Sequence, residues 1–90
     1  MGRYDLNKFD HLLTMADGGD REAQYRLGLH FATEAGEECI VHAHKWFNIA
    51  ATAGDTRARA ERQEMAELMS AAQIAEAQKQ ARAWLQNRAV

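Results

Sequence analysis

Apolar residues recur along this chain with the 3.6-residue period of helices. The pattern separates into five segments. Residues 5–17 place Leu6, Phe9, Leu12, Leu13 and Ala16 on one face, and residues 21–33 carry Ala23, Leu27 and Phe31. Residues 41–53 carry Ala43, Phe47, Ala50 and Ala51; residues 56–69 carry Ala58, Met65, Leu68 and Met69. Residues 71–87 carry Ile74, Ala77, Ala81, Trp84 and Leu85. Each stripe predicts an amphipathic helix whose apolar side needs cover. Residues 34–40 are read as the one real loop.

The junctions between these segments carry their own chemistry. Gly19-Asp20-Arg21-Glu22-Ala23-Gln24 returns 35 residues later as Gly54-Asp55-Thr56-Arg57-Ala58-Arg59, and Ala16 returns as Ala51. A glycine closes a helix in the left-handed conformation, and an aspartate opens the next by accepting bonds from its free N–H groups. Gly-Asp therefore joins two helices with almost no loop, which favours antiparallel packing. Ser70 with Gln73 three residues on predicts a capping box for the last helix. A period in this range indicates stacked helix pairs. The expected fold is all-α: an antiparallel helix-pair repeat, or α-α superhelix, in a single domain. It divides into a leading helix (5–17), a complete repeat (19–53), a partial second repeat (54–69) and a capping helix (70–88).

At these positions the chain resembles the Sel-one-like repeat family, relatives of the tetratricopeptide repeats. The likeness rests on Ala23, Leu27-Gly28, Phe31, Gly36, Ala43, Trp46 and Ala50-Ala51 with Gly54, and it covers roughly residues 16–85. The run from Ala43 to Ala51 is similar to bacterial members. The spacing is one residue shorter than the family's usual one, Glu34 stands at the first loop glycine, and no aspartate caps the third helix. In the second copy Leu27-Gly28 becomes Arg62-Gln63, which marks a terminal variant. The resemblance implies a superhelix whose groove binds peptides or protein surfaces. Gly28 fits this reading: a mid-helix glycine costs about 1 kcal/mol against alanine, and a close helix contact is the usual compensation.

Composition narrows the function. The chain has 90 residues and no proline, and 47% of it is hydrophobic, much of that alanine. Helices are therefore unbroken and can approach closely. The formal net charge is −2. Arg57, Arg59 and Arg62 are interleaved with Glu61, Glu64 and Glu67, which reads as a solvated face and gives no expectation of nucleic-acid binding. No apolar run reaches membrane-spanning length. A single cysteine, Cys39, forms no internal disulfide and suits a reducing compartment, so a cytoplasmic location is expected.

Candidate chemistry is sparse. Cys39 and His42, with His30 from across the loop, gather only three metal ligands where structural zinc takes four, and His42 and His44 diverge around a helix. No metal or cofactor is expected. Cys39 beside His42 is the one nucleophile–base pair, but Glu37 and Glu38 would raise the thiol pKa, so no enzyme is expected. Trp46 and Trp84 lie on apolar stripes and are expected inside. Gln24 is expected to bond backbone at the tight turn. What remains is the surface of the first helix of each pair, with Glu22, Tyr25, Arg26, Leu29, Arg57 and Glu61 as the candidate protein-binding residues. The leading expectation is an interaction adaptor for a protein or peptide. The alternatives are a self-associating module forming a weak homodimer and, behind it, a small metal-binding regulator.

Overall fold

Five helices account for nearly all of the described chain: α1 (Leu6–Asp17), α2 (Arg21–Ala32), α3 (Glu37–Thr52), α4 (Thr56–Glu67) and α5 (Ala71–Arg88). The structure is a computed structural model that describes residues 6–34 and 36–88, with side chains in α1 described from Asp10 onward. Asp5, the expected start of the first helix, lies outside the described residues, and so do the side chains of Leu6 and Phe9 on its stripe. No strand occurs among the described residues. The fold is all-α, as the periodicity predicts.

The two Gly-Asp turns are the same structure repeated. Gly19 has φ 102° and Gly54 φ 103°, the left-handed region that favours glycine. The Asp20 N–H donates to the Met15 carbonyl and the Asp55 N–H to the Ala50 carbonyl, both at 3.0 Å. Each aspartate then accepts from the backbone N–H three residues on: Ala23 to Asp20 Oδ1 at 2.9 Å and Ala58 to Asp55 Oδ1 at 3.0 Å. An arginine closes each turn from outside. Arg21 donates to the Ala53 carbonyl, and Arg88 donates to the carbonyls of Asp17 and Gly18. Gly18 and Ala53 are 35 residues apart, so different helices supply the same plug to equivalent turns. The capping box also forms, with Gln73 N–H donating to Ser70 Oγ and Ser70 N–H to Gln73 Oε1.

Three expectations are corrected. α3 begins at Glu37, four residues before the expected start at 41, so the connection shrinks to residues 33–36. Gly36, at φ 116°, opens it without a side-chain cap, and Glu37 and Glu38 complement the positive end of the helix dipole. α4 ends at Glu67, and Leu68 is 83% exposed rather than part of a buried stripe. The third correction concerns what α5 covers. A capping helix that directly follows residues 56–69 is expected to cover their stripe of Met65, Leu68 and Met69. Instead α4 and α5 each pack on α3 and barely touch one another. Ala81 and Trp84 of α5 join Leu12, Ala16, Ala23, Leu27, Trp46 and Ile49 in one core cluster.

That cluster explains the cover. Trp46 is buried and meets Trp84 edge to face, 5.8 Å between centroids. The Trp84 indole N–H donates to Asp17 Oδ1 at 2.7 Å, which fastens α5 to the α1–α2 turn. A second cluster holds Ala43, Phe47, Ala50 and Ala58, flanked by Tyr25, Leu29 and Met65. Extents of 33 × 32 × 21 Å describe a slab about two helices thick.

Candidate functional site

The candidate residues meet because equivalent positions of α2 and α4 lie side by side. Glu22 and Arg57 are 35 residues apart, one on the first turn of each helix. Arg57 Nη2 donates to Glu22 Oε1 at 2.6 Å and to Asp55 Oδ2 at 2.8 Å, and its guanidinium lies 4.1 Å from the Tyr25 ring centroid. Arg26, one turn along α2, donates to the other Glu22 oxygen at 3.2 Å. Arg57 and then Arg26 hold the Glu22 carboxyl below its ordinary range. Arg57 does the same to Asp55, and the two carboxylates in turn raise the guanidinium's pKa. Asp55 is buried and already spent on the α4 cap, so it fixes the arginine's position from below. The result is a preset patch, a cation stacked on an aromatic ring and flanked by acids.

Beside it runs a groove of about 660 Å³ between α1 and α2. Leu12 and Met15 come from α1, and Ala23 and Leu29 from α2, with Glu22, Arg26, His11 and His30 bringing charge and polarity to it. Glu22, Arg26 and Leu29 belong to this groove, while Tyr25 and Arg57 form the adjoining clamp. Glu61 is half-buried on α4 and takes no part in either. His11 and Met15 are not among the sequence candidates, and His30 is among them only as a metal ligand. For the first two the only sequence signal is that Met15 stands beside the first stripe.

The remaining candidates fall elsewhere. Trp46 is interior and Trp84 half-buried against it. Gln24 is buried, and its Nε2 donates to the Ala16 carbonyl at 3.1 Å, the expected turn bond. Cys39 is half-buried on α3, and the His42 ring stacks on Phe31 with centroids 5.0 Å apart. Among the described residues no group of three or more His, Cys, Asp or Glu side chains is placed to hold a metal ion. Arg57, Arg59 and Arg62 do not share one solvated face. Arg57 is in the patch, and Arg62 donates to Asn48 Oδ1 at 2.6 Å across to α3.

Fold and site together define an all-helical protein with a preset polar patch beside an open interhelical groove. No helix among the described residues is long and apolar enough to cross a membrane. The chain matches no protein-family model, no curated protein and no solved structure.

Proposed function

We propose that the chain is a protein-interaction module whose α1–α2 groove receives an amphipathic helix of another protein. One observation carries this reading: the groove repeats an interface that is filled elsewhere in the chain. Glu22, Ala23 and His30 line it, and their counterparts 35 residues on are Arg57, Ala58 and Met65. On α4 those counterparts pack against α2 and α3. Leu12 in the groove floor corresponds to Phe47, which the body of α2 covers at Gly28. The groove thus has the form of a helix-helix seat with its helix missing. Its apolar floor and charged rim suit an amphipathic segment. The sequence likeness to Sel-one-like repeats supports the same class of role, binding without catalysis.

The test is a photo-crosslinking amino acid placed at Met15, with exposed Ala75 on α5 as the control position. The expected result in source cells is a discrete adduct with another protein at Met15 only. Identical adducts at both positions, or none, would discard the groove. A second reading is favoured by Leu68, an exposed leucine at the α4–α5 turn that a second copy's groove could seat. It expects a self-adduct at Met15 and a dimer by light scattering that Leu68→Ser abolishes.

A further inference from the structure

Between α4 and α5 lies a cleft floored by α3. It has two joined parts, about 470 Å³ and 370 Å³, which share Asn48 and Gln78. Its walls stand in the register of the first repeat's core. On α2, Gln24, Leu27, Gly28 and Phe31 face inward; 35 residues on, Arg59, Arg62, Gln63 and Ala66 line the cleft from α4. On α3, Ala43, Phe47 and Ala50 are buried; 35 residues on, Gln78, Arg82 and Leu85 line it from α5. Where Phe47 seals Gly28 in the first repeat, Arg82 and Gln63 stand in the second. The second repeat has therefore exchanged its interhelical core for an open, polar space.

The exchange is selective in charge. Arg59, Arg62 and Arg82 line the two parts, and no carboxylate among the described residues does so. Glu61, Glu64 and Glu67 alternate with these arginines in sequence, yet the helical period carries them off the cleft face. The floor adds His44, which is 2% exposed and whose Nδ1 has no hydrogen-bond partner. Arg62 is already oriented by its bond to Asn48. Guanidinium forks match the oxygens of phosphate two at a time, and side-chain amides fill the remaining acceptors. The volume is that of a small-molecule site.

We propose that this cleft binds a small phosphorylated compound, with Arg59 and Arg62 on one anionic group, Arg82 on a second, and Asn48 and Gln78 between them. Ile74 and Leu85 border the two ends and suit the ligand's carbon portion. This site is separate from the α1–α2 groove and does not depend on the proposed function.

The experiment is an NMR titration of the intact chain with inorganic phosphate, pyrophosphate and citrate at constant ionic strength. Pyrophosphate is expected to saturate below about 1 mM, at least tenfold tighter than phosphate, and to move the His44 ring and the Asn48 and Gln78 side-chain amides. Arg59→Gln and Arg82→Gln, both at exposed positions, are expected to keep the fold and weaken pyrophosphate about tenfold each. Lys79→Gln, an equal charge change on α5 outside the cleft, is expected to leave binding unchanged. No saturable shift, shifts mapping elsewhere, or an equal loss in Lys79→Gln would overturn the site. Citrate binding as tightly as pyrophosphate would overturn the assignment to phosphate.

Discussion

At Gly28 two residue-level effects oppose each other, and their sizes decide the sign. Replacing a mid-helix glycine with alanine gains about 1 kcal/mol from helix propensity alone. A Cβ on Gly28, however, would lie 2.5 Å from Phe47 Cε1 and 2.6 Å from Cδ1. Phe47 is fully buried and also packs near Tyr25, 6.0 Å between ring centroids, so it has little room to retreat. Overpacking costs about 1–3 kcal/mol. Gly28→Ala is therefore expected to destabilise the protein by up to about 2 kcal/mol in urea denaturation, with most of the loss recovered in a Phe47→Leu background. A more stable Gly28→Ala would show that propensity wins. His44 gives a second residue-level prediction. Burial first, and then the charge of Arg62, lower its pKa below the ordinary value near 6.5. As pH falls through that value the unfolded chain takes up a proton that the folded imidazole refuses, so stability declines with acidification. His42 is shifted in the same direction by burial and Lys45. Asp55 and Glu22, both lowered, add a further loss in the carboxylate range below that window. Urea midpoints are expected to drop between pH 7.5 and 5.5, and His44→Gln is expected to flatten that slope. An unchanged slope would mean that His44 takes up its proton equally in the folded and unfolded chains.

Among the elements, α5 carries the most weight for its composition. Its buried residues are two alanines, Ala77 and Ala81, with Trp84 half-buried beside Trp46. Small residues bring the helix close to α3, and the tryptophan then shields the main cluster from one end. Trp84→Ala is expected to cost about 2–4 kcal/mol, below a fully buried aromatic because the ring keeps some exposure. Ending the chain before Ser70 exposes Trp46, Leu27 and Ile49 together and is expected to abolish cooperative unfolding by circular dichroism. A truncated chain that melts as sharply as the whole would make α5 an appendage. The local devices of these elements were legible in the sequence: both Gly-Asp turns, the Ser70–Gln73 box, the buried Trp46 and the Gln24 turn bond. Part of the site was legible too, since Glu22 and Arg57 occupy the same repeat position. The rest depends on tertiary geometry that a helical period does not encode. The period marks Leu68 as apolar, but the turn behind Glu67 swings α5 onto α3 and leaves it outside. It marks Trp84 as inward without indicating that its partner is Asp17, 67 residues away. The basic positions of α4 look mixed with acids until the α4–α5 opening shows which side they line.

For the whole molecule, the contact between the last turn of α5 and the α1–α2 junction changes how it should unfold. A helical array is held by neighbour contacts, so its stability is close to a sum of repeats and its ends can open independently. Here the final turn of α5 returns to the α1–α2 junction. Arg88 donates to the carbonyls of Asp17 and Gly18, and its guanidinium lies 5.0 Å from the Trp84 ring centroid. These bonds span 70 and 71 residues, and they close the same cluster to which α1, α2, α3 and α5 all contribute. Local opening of α5 therefore uncovers the core of the first repeat, and opening of the α1–α2 turn releases α5. The two regions are expected to exchange amide hydrogens with the same free energy, equal to that of global unfolding. Tryptophan fluorescence and far-ultraviolet circular dichroism should report one coincident transition, because Trp46 and Trp84 sit at this closure. Arg88→Ala tests the coupling directly. It removes two carbonyl caps and one ring contact without touching the interior, so protection should fall at Gly18 and Gly19 as well as along the last turns of α5. Loss confined to α5 would mean that the chain behaves as an open array after all.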